Sequence, residues 1–557
     1  MASSTSNILI LFFLLSALSL SRTWALNSSS SSSSSTTSQE FSYIKSICKT
    51  TPYSDICLDT LELAIKDIPN DSSPNNTAYY IVFTLKTAIN ASEKLSIVLS
   101  EAKDPKNVIE KQRGTIQDCT ELNQITLSSL QRSVSRINDA QVADARVYLS
   151  AALTNKITCL ESLDSASGPL KPALLKSIND TYKHVSNSLS ILSSQKGQNS
   201  SQDGLNNRHL MDVDVPTWIS KKLDSRTRIL EGIYIHTIVL TVAADGTGNF
   251  TTITDAINFA PNNSNDIQTR IYVKQGLYEE NVVIQSYKRN IFMHGDGTDF
   301  TIITGNRSKV DGWTTFSSAT LAVSGENFWA QDIKIENKAG AKKQEAVSLR
   351  VNADFVAFYR CSIIGYKNTL HVHSFRQFYR DCDILGTIDF IFGNAAIVFQ
   401  SCDIVTRMPM AGQFTVITAQ SRDSSDENTG ISIQNCSIVA TNDFYSNSVR
   451  VKSYLGRPGG AYSQTVYLES YIGDFIDPTG WMQLSIDDDD DDQSLDTLYF
   501  GEYDNHGPGS STDYRVTWPG YHVMDIIDAL NFTVVEFITG ADWLGFTPFP
   551  CDYSVIN

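Results

Sequence analysis

Two periods divide the chain. From about residue 41 to 195, apolar residues recur every three to four positions, the spacing that lays one stripe along a helix. Ser54 stands as a cap before a helix with apolar positions Ile56, Leu58, Leu61 and Ile65, and longer periodic segments follow at about 76–102, 105–137, 140–163 and 170–194. Pro105 suits the first turn of its helix, and Asn138 with Asp139 marks a break. Long amphipathic helices with short connections predict an antiparallel bundle. From His236 the pattern turns to β, with strand-like runs at 237–242, 269–273, 281–284, 291–293 and 301–303.

A phrase then repeats in the β half: Phe358-Tyr-Arg-Cys361-Ser-Ile363, Phe378-Tyr-Arg-Asp-Cys382-Asp-Ile384, Phe399-Gln-Ser-Cys402-Asp-Ile404 and Ile433-Gln-Asn-Cys436-Ser-Ile438. The first three cysteines are 21 and 20 residues apart (361 to 382, 382 to 402). A phrase returning about every 20 residues predicts stacked coils of a parallel β-helix. A β-sandwich gives similar strand spacing without requiring the repeat. The resulting divisions are a leader at 1–25, a Ser/Thr-rich lead-in at 26–40, a helical half at 41–195, a polar linker at 196–235 and a β half at 236–557.

Composition changes this picture at its edges. The chain has 557 residues and a formal net charge of -17, which argues against a nucleic-acid partner. Residues 8–15 form an apolar run, and Thr23-Trp24-Ala25 offers a cleavage site, so 1–25 is expected to be a secretory signal. No Lys or Arg precedes the run, and an uncleaved membrane anchor is the alternative. Asn-X-Ser/Thr sequons recur from Asn27 to Asn531 and fit export of a glycoprotein. The nine cysteines then become disulfide candidates. Cys48 and Cys57 suit a clasp on a helical hairpin, and Cys119 and Cys159 suit a staple between two helices, although four cysteines allow three pairings. The run of six Asp at 487–492 is expected to be a solvated loop rather than a calcium site. His371 and His373 would share a strand face without further ligands in view, so neither a metal nor a cofactor is expected.

Gly386-Thr-Ile-Asp-Phe-Ile-Phe-Gly-Asn394 holds one charge, Asp389, in an otherwise apolar or small run. Burying that charge is costly without a partner. Strand alternation would put Ile388, Phe390 and Phe392 on one face, with Asp389 and Ile391 on the other. A structural ion pair and a functional carboxylate are both open on the run alone.

Gly276-Leu-Tyr278-Glu-Glu280, the Asp389 run and Tyr454-Leu-Gly456-Arg457-Pro458 resemble the signature blocks of plant pectin methylesterases. So do Leu370-x-Val372-His373-Ser374-x-Arg376-Gln377-Phe378-Tyr379 and Leu495-Asp-Thr-Leu-Tyr-Phe-Gly-Glu-Tyr503, and the likeness runs from about 237 to 550. The helical half, with its four cysteines, resembles the invertase/pectin methylesterase inhibitor domain. The resemblance implies a four-helix bundle with a helical hairpin, followed by a right-handed parallel β-helix. It implies demethylesterification of homogalacturonan pectin in the cell wall. It also implies an inhibitor-domain contact, within the chain or in trans, and a processing protease acting at the linker, where Arg208-His-Leu-Met211 resembles a cleavage motif.

Residue by residue, the resemblance makes Asp389 the nucleophile and Arg457 the arginine that holds it. Thr315 falls where the family contacts substrate, and Cys382 with Cys402 matches a family disulfide. Four positions depart from the pattern. An oxyanion glutamine is here Glu345, the second is Lys367, the acid/base aspartate is Asn368, and a stacking tryptophan is Gly459. Asn368 cannot titrate, and an ionised Glu345 repels a developing oxyanion, so impaired turnover is expected. A Glu345 with a raised pKa that supplies the proton is one alternative, and a Glu345–Lys367 pair is another. The competing functions are a pectin-binding protein without turnover, and an inhibitor acting on other pectinesterases through the helical half.

Overall fold

The helical period is realised in α1 (Ser32–Cys48), α2 (Ser54–Lys66), α3 (Thr77–Ala102), α4 (Thr115–Asn138), α5 (Val142–Asp164) and α6 (Lys171–Ser194). The structure, a computed structural model, describes residues 32–66, 76–195, 236–446, 451–483 and 494–556. The leader at 1–25, the linker at 196–235 with Arg208-His-Leu-Met211, and the Asp run at 487–492 lie outside the described residues. Asn76 caps α3 by accepting from the Tyr79 N–H. Leu85, Leu122, Leu149 and Leu189 meet in the bundle's core. Cys48–Cys57 clasps α1 to α2, and Cys119–Cys159 staples α4 to α5.

Two helix boundaries differ from expectation. Helix α1 begins at Ser32, inside the Ser/Thr-rich lead-in: serine is only moderately unfavourable in a helix, so a turn anchored at Ile44 and Cys48 extends backwards through it. The segment expected as one helix over 105–137 starts only at Thr115. Pro105 lies instead in a loop where Asp104 accepts from the Lys106 N–H, Ile109 bridges Ser167, and Gly114 turns the chain at φ +98°.

The β half is a parallel β-helix. Among the described residues, three sheets of 11, 7 and 8 strands run its length, and every strand pair is parallel. The repeated phrase corresponds to successive coils. Ile363, Ile384, Ile404 and Ile438 are in register and point into the core. Phe358, Tyr379 and Phe399 form a second column, their rings stacked 4.9 and 5.0 Å apart.

The cysteines of the repeat form a third column but not the expected disulfide. Cys382 and Cys402 are separate thiols, as are Cys361, Cys436 and Cys551. Equivalent side chains on in-register coils point the same way and stay about one strand spacing apart, roughly 4.8 Å. That exceeds the roughly 3.8 Å between Cβ atoms that a disulfide prefers. The sulfurs accept backbone N–H groups instead, Cys361 N–H to Cys382 Sγ at 3.4 Å and Cys402 N–H to Cys436 Sγ at 3.3 Å.

Helices α4 and α5 lie against the seven-stranded sheet, whose order is Ser453–Pro458, Thr415–Gln420, Ile388–Gly393, Leu370–Ser374, Leu349–Asn352, Leu321–Val323 and Val282–Ile284. Buried Arg376 joins the halves: it donates to Asp354 of the β-helix and, at 2.7 Å, to Asp144 of α5. Arg132 of α4 pairs with Glu326, and Phe316 of the β half packs into the bundle's core.

Candidate functional site

Asp389 sits at a fault in its strand. Ile388 pairs with Val416 and Ile391 with Thr418, so one extra residue is inserted between them. Asp389 takes the left-handed conformation, φ +48°, which is uncommon for a residue with a side chain. The bulge breaks the expected alternation. Phe390 and Ile391 both enter the core, Phe392 lies partly exposed over the outer side of the sheet, and Asp389 turns to the surface beside it. Gly393 closes the run at φ +129°, where a Cβ would stand 2.3 Å from the Val372 carbonyl oxygen. The second bracketing glycine, Gly386, makes room for the Phe390 side chain in the same way.

Arg457 comes from the strand two along in the sheet. Its Nε donates to Asp389 Oδ1 at 2.8 Å and a terminal nitrogen donates to Oδ2 at 2.5 Å. This two-pronged contact fixes a carboxylate that is only 6 % exposed and keeps a cation beside it. Asn368 is 8 % exposed, also left-handed at φ +61°, and its N–H donates to the Ile388 carbonyl. It therefore occupies the coil next to Asp389.

Glu345 and Lys367 pair with each other. Lys367 Nζ lies 3.0 Å from Glu345 Oε1, and Lys309 Nζ approaches the same oxygen at 3.5 Å. Backbone bonds set them side by side, Ala346 N–H to Lys367 O and Lys309 N–H to Glu345 O. Burial pushes the Glu345 carboxyl upward, but the Lys367 hydrogen bond and the charges of Lys367 and Lys309 outweigh it, so it titrates below the ordinary glutamate range. A proton-donating Glu345 is therefore overturned. Lys309 was not foreseen, because it lies 36 residues before Glu345 (309 to 345) in a loop without periodic signal.

These residues line one cleft of about 590 Å³, together with Thr315, Phe316, His371, Phe392, Pro458 and Gly459. With hydrogen at position 459 no side chain stands there, and the Gly459 N–H is taken by Gln420 O and Ser463 Oγ. His371 stacks on Phe392 with ring centroids 4.2 Å apart, and its Nδ1 is buried without a partner. Burial, then the charge of Arg350, holds its pKa down to about 3.

The cleft is roofed by the helical half. Gln112, which precedes α4, and Thr154, Thr158, Glu161 and Ser162 of α5 line it from the other side. Thr158 Oγ1 shares a 2.9 Å hydrogen bond with His373 Nε2, and Asn394 donates to Thr154 Oγ1 at 2.9 Å. Asp118 of α4 accepts from the Thr314 and Ser317 hydroxyls on either side of Thr315. Nothing in the local sequence announces these contacts, which join residues about two hundred positions apart.

The pectinesterase family profile matches residues 239–541, and that of the plant invertase/pectin methylesterase inhibitor matches residues 42–191. Among curated relatives, the probable pectinesterase/pectinesterase inhibitor 12 of Arabidopsis thaliana is 56% identical over 523 residues, covering 92% of this chain and 93% of the relative. The probable pectinesterase/pectinesterase inhibitor 7 of the same plant is 39% identical over 574 residues, covering 93% and 96%. Among solved structures, pectin methylesterase from carrot superposes with a TM-score of 0.55 at 46% identity, covering 57% of this chain and 98% of the carrot chain. The chain belongs to the pectinesterase family, in the form that carries an inhibitor-type helical domain ahead of the β-helix.

Proposed function

We propose that the β-helix cleft is a pectin methylesterase centre with slowed turnover, held beneath its own helical cover. The observation that carries this is the Asp389–Arg457 pair, a positioned and charge-partnered carboxylate opening into a cleft. Asp389 attacks the galacturonosyl methyl ester, and Arg457 keeps it ionised and aimed. Lys367 presents its ammonium where the oxyanion develops, partly offset by Glu345, while Thr315 contacts the sugar. Asn368 orients the reacting group without exchanging a proton, and Gly459 leaves one wall without an aromatic. Losing a positioned acid typically slows such chemistry by about 10²–10⁴-fold.

The inhibitor-type half acts in this reading on its own chain. Helix α5 occupies the space above Asp389 that a polymer would need, so the uncut chain is held inactive. Cleavage in the linker at 196–235 and departure of the bundle expose the cleft. The leader and the sequons support delivery to the cell wall.

Methanol release from methylated pectin tests this, comparing the uncut chain, the β-helix fraction isolated after linker cleavage, and the same fraction carrying Asn368→Asp with Glu345→Gln. The expected order is uncut below cleaved below doubly substituted. Equal rates for the last two would overturn slowed turnover, and no methanol from the doubly substituted fraction would overturn the esterase centre. Asn368 and the Glu345–Lys367 pair also favour a second reading, a pectin binder without turnover. That reading requires pectin retention by the cleaved fraction with no methanol released.

A further inference from the structure

With Asn368 unable to titrate, the reaction needs another group to give methoxide a proton and to take one from water. The cleft has few. Arg457 does not deprotonate in proteins. Lys309 and Lys367 are bound to Glu345, which itself stays ionised. Glu161 sits on α5 and departs with the cover. Asp423 also lines the cleft, but it follows the strand Thr415–Gln420, whose Gln420 pairs with Gly393, so its backbone lies farther along from Asp389 than that of His371, whose partner is Phe392.

His371 remains. Leu370 pairs with Ile391 and His371 with Phe392, while the Asn368 N–H reaches Ile388 O at 3.1 Å. Residues 368–371 therefore run alongside 388–392, with Asp389 between the levels of Asn368 and His371. Strand spacing and rise place the His371 and Asp389 Cα atoms roughly 8 Å apart. Both side chains line the same cleft. Stacking on Phe392 fixes the imidazole plane, and Nδ1 is a buried nitrogen with no partner among the described residues, which is costly unless another species meets it.

We propose that His371 is the proton carrier of this chain's ester hydrolysis, in the place Asn368 has vacated. The inference rests on the esterase reading above. In the first step an Asp389 oxygen bonds to the ester carbonyl carbon, the bond to methoxide breaks, and the His371 imidazolium gives methoxide its proton, leaving methanol, an acyl-Asp389 anhydride and neutral imidazole. In the second, water attacks the acyl carbon and passes a proton to His371, and the carbon–oxygen bond to Asp389 breaks. The galacturonic acid leaves, and Asp389 carboxylate and His371 imidazolium are restored.

The cover opposes this chemistry. Around His371 stand Arg350 and His373 from its own sheet, the Asp389–Arg457 pair, the Lys309–Glu345–Lys367 cluster and Asp423 in the cleft, and Glu161 from α5, while Glu121 and Asp118 of α4 face Arg350. Burial is the larger cause of its neutrality and Arg350 the smaller. Departure of α5 returns water to the ring and lifts the imidazole toward its ordinary range.

The test uses the β-helix fraction after linker cleavage, a unit close in length to the 57% of this chain that the carrot pectin methylesterase chain covers. Methanol release is followed against pH for the unmodified fraction, His371→Phe, His371→Ala, Asn368→Asp, and Asn368→Asp combined with His371→Phe. His371→Phe keeps a ring on Phe392 and is expected to lower the rate at least about 100-fold and to abolish the fall in rate above the imidazole pKa. Added imidazole is expected to restore part of the His371→Ala rate. In the Asn368→Asp background the loss on His371→Phe is expected to stay under about tenfold. A His371→Phe rate within twofold of the unmodified fraction overturns the proposal. So does methanol release from Asn368→Asp but none from the unmodified fraction, a result that leaves the esterase reading standing. No release from any fraction overturns both.

Discussion

Asp389 combines two costs that its neighbours offset. Its backbone is left-handed, and its charge is largely out of water. Aspartate and asparagine tolerate that backbone better than other residues with side chains, and Arg457 answers the charge. The two contributions can be separated. Asp389→Asn keeps the backbone preference and the shape but leaves Arg457 without its counter-charge, so it is expected to lower methanol release by at least about 10³-fold and to melt below the unmodified protein. Asp389→Ala removes the preference as well, and is expected to melt lower than Asp389→Asn. Methanol assays and thermal melts of the two variants, side by side, check this. A melt equal for both would mean that the bulge stores no strain at this position. The bulge also explains what was legible in the sequence. The Asp389 run marked the seat of the paired carboxylate in the cleft, but strand alternation misplaced Ile391 and Phe392, because a single inserted residue reverses facing and leaves no signal in composition. The Glu345–Lys367 pair was foreseen as one of two outcomes; the Lys367 hydrogen bond carries most of it, and Lys309, from a distant loop, adds a smaller charge contribution.

At the scale of elements, the docking of α4 turns on its first residues. Gly114 has no Cβ, and one placed there would stand 2.6 Å from Ser317 Oγ. The approach this permits brings Asp118 onto the Thr314 and Ser317 hydroxyls, with Arg350 nearby. Burial pushes the Asp118 carboxyl from its ordinary 3.8 up to about 7, against those hydroxyls and Arg350, which pull it down. Because its pKa is raised on docking, the docked state holds a proton that the separated state releases between about 4 and about 7. Docking is therefore strongest below that window, weakens as pH rises through it, and levels off above about 7. Glu427, buried beneath α5 and also pushed up to about 7 by burial, titrates in the same direction. Co-elution of the two halves after linker cleavage is expected to fall between pH 4 and 7, with a shallower fall for Asp118→Asn. An unchanged profile for Asp118→Asn would remove Asp118 from the linkage. The helices themselves were readable from their period. Their docking was not, since it depends on hydroxyl–carboxylate pairs such as Asp118–Ser317 that no periodicity links.

The whole molecule divides its covalent and non-covalent stabilisation unequally. Both disulfides lie in the bundle, whereas the β-helix is held by stacked columns of Ile, aromatic and unpaired Cys side chains. The bundle's loop between Cys119 and Cys159 spans 40 residues, and closing a loop of that size contributes about 4 kcal/mol on chain-entropy grounds. The β-helix gains nothing comparable, yet its parallel coils bury a continuous core that no reductant touches. Reduction is therefore expected to act on the cover alone. Thiol titration in denaturant without reductant is expected to count five of the nine cysteines, and a count of three would mean that a pair in the β-helix column is bonded after all. Calorimetry of the uncut chain is expected to resolve two transitions, of which only the one belonging to the bundle falls when dithiothreitol is added. Because α4 and α5 are the two helices the longer disulfide joins, the same treatment loosens the roof above Asp389. Methanol release from the uncut chain is then expected to rise towards that of the cleaved fraction while the β-helix transition stays in place. A rate unchanged by reduction, with the bundle transition lowered, would show that the roof does not gate the cleft. The fold would then carry its helical half for folding or delivery rather than for restraint.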